Sequence, residues 1–166
     1  MAKLTVLGIG NILMQDDGVG VRLLEAVRCA RDWPAEVEFI DGGAGGLNLL
    51  GVIESARQLI VFDAADLHLS PGRHRTITPA ELCEEAPGRI SLHDMPFTQT
   101  LHLCRQFLAA PDAVTILAVQ PAQVDHGREL SPALQREFDT LVRAAVALVE
   151  GALRRSTGTA EPRGED

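Results

Sequence analysis

Two adjacent acids, Asp16 and Asp17, stand in "GIGNILMQDDGVGVR"; a third, Asp63, closes "LIVFD"; and a histidine, His93, stands in "ISLHDMPF". Carboxylates and an imidazole are oxygen and nitrogen ligands for a divalent first-row metal, and either can take a proton from an attacking water. A phosphate-binding turn would not carry paired acids where a strand hands over to a helix, because the free N–H groups there attract anions and carboxylates would repel them. The stretch also lacks the third glycine of a dinucleotide fingerprint, and no GxxxxGK[ST] occurs in the chain. Nucleotide binding is therefore disfavoured.

Each candidate also has a plain structural reading. Asp17 suits the N-cap of a helix beginning at Gly18, a role worth ~1 kcal/mol. With two acids in a row, one can cap or orient the helix while the other faces a ligand. Asp63 follows the apolar run Leu59-Ile60-Val61-Phe62, which places it at the carboxyl end of a strand, where apolar walls can raise a carboxyl pKa; a loop-capping role is the alternative. Asp66 is a weaker candidate of the same kind. His68, His74, His102 and His126 fit solvent-facing positions. No GxSxG elbow, no HExxH and no cysteine in a nucleophile setting is present, which leaves carboxylate and histidine chemistry.

The elements that must position these groups alternate. Apolar runs at 3–9, 37–41, 57–63 and 113–119 read as strands, with 73–77 as an edge strand. Helical spacing runs from Gly18 to Pro34, begins again near Leu47, places Phe97, Leu101, Cys104 and Leu108 on one face, and returns in a long stripe after Ser131-Pro132 that includes Leu134, Leu141, Ala145 and Val149. Thr78-Pro79-Ala80-Glu81 has the form of a capping box. Alternation of this kind predicts an α/β fold, a three-layer α/β/α sandwich with a largely parallel sheet of about five strands. Ligands of such sheets bind at the carboxyl ends of the strands, here the turns near residues 10–18, 41–46 and 63–66. One domain over 1–155 is expected, with 156–166 as a disordered tail lacking an apolar period.

Composition narrows the partners. The chain has 166 residues and a formal charge of −8, which argues against nucleic acid, since such binding depends on clusters of Lys and Arg. Cys29, Cys83 and Cys104 are widely spaced and odd in number, so neither a disulfide framework nor a zinc knot is indicated and a reducing cytoplasm fits. No run approaches the ~18 apolar residues of a membrane span.

Taken together, "GIGNILMQDDGVGVR", "DGGAGGLNLL", "LIVFDAAD" and "ISLHDMPF", in this order, resemble the nickel-iron hydrogenase maturation endopeptidases over residues 3 to about 150. The resemblance implies an enzyme that removes a short C-terminal peptide from the hydrogenase large-subunit precursor after nickel insertion. It carries recognition of nickel, and the catalytic role, to Asp17, Asp63 and His93. Position 17 is glutamate in many relatives, so the arm here is one methylene shorter. The resemblance also makes Gly42 and Gly43 substrate-contacting backbone, with Asp41 as an orienting partner.

Two carboxylates and one imidazole hold nickel less firmly than thiolates or several imidazoles would, which suggests that the metal arrives with the substrate. The metal could polarise the carbonyl or acidify a water, or a carboxylate could act as general base; the residues do not choose. A monomer is expected. The alternatives are a non-catalytic metal-binding protein that docks on hydrogenase precursors and an enzyme like peptidyl-tRNA hydrolase, which the acidic charge disfavours.

Overall fold

The computed structural model describes residues 4–81 and 97–157. Among these residues five strands form one sheet: β1 (Leu4–Gly8), β2 (Val37–Asp41), β3 (Gln58–Ala64), β4 (His74–Ile77) and β5 (Ala113–Val119). Their order is β2-β1-β3-β5-β4, parallel throughout except for β4, which pairs antiparallel with β5 at the edge. Among the described residues they are accompanied by α1 (Val19–Ala30), α2 (Leu50–Ser55), α3 (Phe97–Phe107) and α4 (Pro132–Thr157), and residues 79–81 are helical as well. The expected α/β sandwich is the observed one.

Period-two alternation along buried strands sends apolar side chains to both faces, which is why these strands read as continuous apolar runs. Ile60 and Phe62 of β3 and Leu117 and Val119 of β5 join the core formed with α1 and α4. Leu59, Val61, Ile116 and Ala118 join the core formed with α2 and α3 on the other face. Three layers result, and the apolar stripe of α4 is buried as its spacing required: Leu134, Leu141, Ala145 and Val149 are fully enclosed.

Local details depart from the sequence reading in four places. The helix expected near Leu47 begins as a 3-10 turn at Gly46–Leu49 before α2. Leu108 does not share the buried face of Phe97, Leu101 and Cys104; it lies one residue past α3 and is 44% exposed. The helix starting after Gly18 ends at Ala30, where Arg31 turns extended, well before Pro34. Finally, α4 runs through Thr157 and so takes in the first two residues of the stretch expected as tail. At Thr78 the capping form is realised, with both the backbone N–H and the hydroxyl donating to Glu81 Oε2.

Strand order reverses between β1 and β3: the chain moves from β1 outward to β2, then returns to lay β3 on the other side of β1. A crevice opens at the carboxyl ends of such a pair, because their following connections leave toward opposite sides.

Candidate active site

The turn that follows β1 is folded tightly on itself. Asn11 anchors it twice, its carbonyl accepting from Met14 N (3.0 Å) and its Oδ1 from Leu13 N (2.9 Å). Gly10 has φ +140°, and a Cβ there would lie 1.9 Å from the Asp17 carbonyl oxygen, so only glycine fits. The same glycine donates its N–H to Gly43 O (2.7 Å), while Gly42 N donates to Gly8 O (2.8 Å), which fastens the turn after β2 to the turn after β1.

Asp17 lies in a 3-10 turn, Gln15–Gly18, that leads into α1. The N-cap of α1 is Gly18, with no side-chain cap bond, so neither acid caps that helix. Asp17 Oδ2 instead accepts the backbone N–H of Asn11 at 2.9 Å, across the turn. The lack of a side chain at Gly20 lets α1 approach the strand ends: a Cβ there would meet Ile9 O and Phe62 O at 2.2 Å each. This brings the Asp17 turn against the end of β3.

Asp63 is the next-to-last residue of β3, half-buried, opposite Ala118 of β5. Its pKa is raised from 3.8 to about 8, first by burial and then by the charge of Asp17, against a lowering backbone hydrogen bond from Ala64. The structure thus brings two of the three expected residues together at the strand-order switch. His93, like Cys83, lies outside the described residues. Among the described residues no group of three or more His, Cys, Asp or Glu is assembled as a metal site.

Asp41 ends β2 and its Oδ1 accepts from Gly43 N at 2.8 Å, which orders the glycine turn. Gly43 has φ +51° and open space where a Cβ would be, whereas the equivalent position on Gly42 is filled by Leu7 and Leu49. Asp66 is not in the crevice group; it is exposed and accepts from His68 N, which holds its carboxyl below the usual range. His68, His102 and His126 are exposed, and His74 is partly so on the edge strand.

The sequence reading missed what Asp16 does. This residue is fully buried, and its carboxylate accepts three backbone N–H groups from the β5–α4 loop: Ala122 (2.8 Å) and Gln123 (2.9 Å) on Oδ2, Ser131 (2.7 Å) on Oδ1. A groove of about 490 Å³, lined among others by Ile12, Arg22, Asp41, Glu129 and Phe138, has no counterpart in the sequence pattern either. Arg22 donates from Nη2 to the Arg128 carbonyl at its edge. No local signal marks either feature, since each joins segments about a hundred residues apart.

A largely parallel α/β sheet with paired carboxylates at its switch point forms a crevice suited to proton or cation chemistry, and comparison with known proteins gives the class: proteases of hydrogenase maturation. Residues 21–148 match the hydrogenase maturation protease family, and the chain belongs to it. It is 35% identical over 146 residues to the hydrogenase expression/formation protein HupD of Rhodobacter capsulatus, covering 87% of this chain and 70% of that one. It is 31% identical over 162 residues to the hydrogenase 2 maturation protease of Escherichia coli strain K12, covering 97% and 96%. The solved structure of the hydrogenase maturating endopeptidase HybD from E. coli superimposes with a TM-score of 0.78 at 31% identity, covering 93% of each chain. The peptidyl-tRNA hydrolase alternative is set aside by this membership, and the chain is a maturation endopeptidase. Among the described residues no helix is long and apolar enough to cross a membrane.

Proposed function

We propose that this endopeptidase removes a short C-terminal peptide from the nickel-loaded large-subunit precursor of a nickel-iron hydrogenase, with nickel in the substrate as the signal for cleavage. Asp17, Asp63 and His93 are the groups that meet the metal. The observation that carries the reading is the pair Asp17 and Asp63 at the switch point, where burial and, added to it, the charge of Asp17 keep Asp63 protonated up to about pH 8. A carboxyl in that condition is poised to exchange its proton for a cation, because a nearby positive charge favours the ionised form.

The donor set supports a metal that arrives with the substrate. Oxygen ligands suit nickel less well than the softer or more basic groups available in other proteins, so two carboxylates and an imidazole act as a sensor rather than a store. Asp41 fixes the Gly43 turn, whose open Cα face leaves room for a substrate backbone, and Gly42 contributes main chain next to it. The water that attacks the peptide bond is activated either by the metal or by one of these carboxylates.

Purified protein incubated with precursor in nickel-loaded and nickel-free forms, followed by mass spectrometry, tests the reading. Loss of a C-terminal fragment from the loaded form alone is expected. No cleavage across several precursor types would favour a protein that only docks on them.

A further inference from the structure

We propose that Asp16 is a positioning residue for the cleavage site: it ties the turn carrying Asp17 to the β5–α4 loop and thereby sets where the Asp17 carboxylate stands. The proposal rests on the reading of Asp17 as a nickel-facing acid. Burying a carboxylate is costly unless its charge is met by hydrogen bonds, and here three backbone N–H groups meet it, all from one loop. These donors lie 106, 107 and 115 residues away in sequence, so the bonds join parts of the chain that nothing local holds together.

The attachment is continued by the main chain on either side. Asp16 N donates to Gln123 O (3.1 Å), Gln15 N to Gly127 O (2.9 Å), and Gly127 N to Leu13 O (2.9 Å). Between these anchors Gln15 adopts φ +50°, a left-handed conformation unfavourable for a residue with a side chain. Such a conformation persists only where its surroundings over-determine it, and the loop supplies that constraint. In a 3-10 turn successive side chains diverge by about a third of a revolution, so with Asp16 held in the interior Asp17 must leave in another direction. Among the described residues the Asp17 carboxylate accepts one hydrogen bond, from Asn11 N, and its placement otherwise follows the turn.

The test compares cleavage of nickel-loaded precursor by the wild type, Asp16→Asn, Ala122→Pro, Asp17→Glu and the double variant Asp16→Asn/Asp17→Glu. Each is assayed well below its own unfolding temperature, measured in parallel. Ala122→Pro removes one donor without touching the acid, and so decides the matter if Asp16→Asn does not fold. Expected are a tenfold or greater loss of kcat/KM in Asp16→Asn, a loss in the same direction in Ala122→Pro, and a double variant that departs more than threefold from the product of the single effects. Such non-additivity is what coupling between neighbours produces, whereas a purely structural role leaves the effects multiplicative. Folded variants with wild-type kcat/KM, or effects that multiply within error, overturn the proposal. An Asp17→Asn control separates the two levels: if it cleaves normally, the reading of Asp17 itself fails; if it is inactive while folded Asp16→Asn and Ala122→Pro are not impaired, only the positioning role fails.

Discussion

Burial of Asp63 and, added to it, the negative charge of neighbouring Asp17 lift the pKa of the Asp63 carboxyl from 3.8 to about 8. The protein therefore holds one acid of the pair protonated near neutrality, a condition a hydrophilic surface site would not produce.

Stability should record this relationship. The unfolded chain releases the Asp63 proton near pH 3.8 and the folded chain near pH 8, so between these values the folded state binds more protons and stability falls as pH rises. Asp63→Asn should remove that slope. In urea unfolding it is expected to exceed the wild type at pH 8 by on the order of 2–4 kcal/mol, discounted for the partial exposure of the side chain, and to match it near pH 3.5. A variant less stable than the wild type at pH 8 would contradict a strained carboxyl.

Binding of nickel-loaded precursor should release a proton from the same group. Calorimetry in buffers of different ionisation enthalpy, at pH 7, is expected to show up to about one proton more released by the wild type than by Asp63→Asn, with the difference disappearing above about pH 9. Equal release by the two proteins at pH 7 would place the titrating group elsewhere.

Two glycines in neighbouring turns should respond very differently to alanine. At Gly10 the new Cβ would lie 1.9 Å from the Asp17 carbonyl oxygen, so the turn must break, and a loss of ~3 kcal/mol or more together with loss of cleavage is expected. At Gly43 nothing lies within 4 Å, and only the φ of +51° opposes the substitution, at a cost of ~1 kcal/mol. Chemical denaturation of both variants checks the contrast.

The two leucines that sequence periodicity treated alike provide a further check. Leu141, fully enclosed between α4 and the sheet, should lose about 2–5 kcal/mol on substitution by alanine. Leu108, exposed past the end of α3, should change stability by less than about 0.5 kcal/mol. Thermal unfolding of Leu141→Ala and Leu108→Ala distinguishes the two positions directly.

Much of the site was readable because its residues follow strands whose burial is written in local composition. Asp63 comes after Leu59-Ile60-Val61-Phe62, Asp17 follows the run at 3–9 and Asp41 closes that at 37–41, so all three had to emerge at one end of a parallel sheet. The misjudged features are those in which a nearby residue could have served and a distant one did. Gly18 took the N-cap that Asp17 could have filled, and Asp16 found partners in a loop that local pattern marks only as irregular.

Local pattern was enough to say which segments are strands and helices, most of their buried faces and at which end of the sheet the acids emerge, because periodicity and turn residues act over a few positions. The order β2-β1-β3-β5-β4, the antiparallel edge and the meeting of Asp17 with Asp63 at the switch point came only from how distant segments pack. So did the burial of Asp16 among backbone donors more than a hundred residues away. A raised pKa and a buried, fully bonded carboxylate arise from what surrounds a group in space, and surroundings assembled from distant segments have no period along the chain.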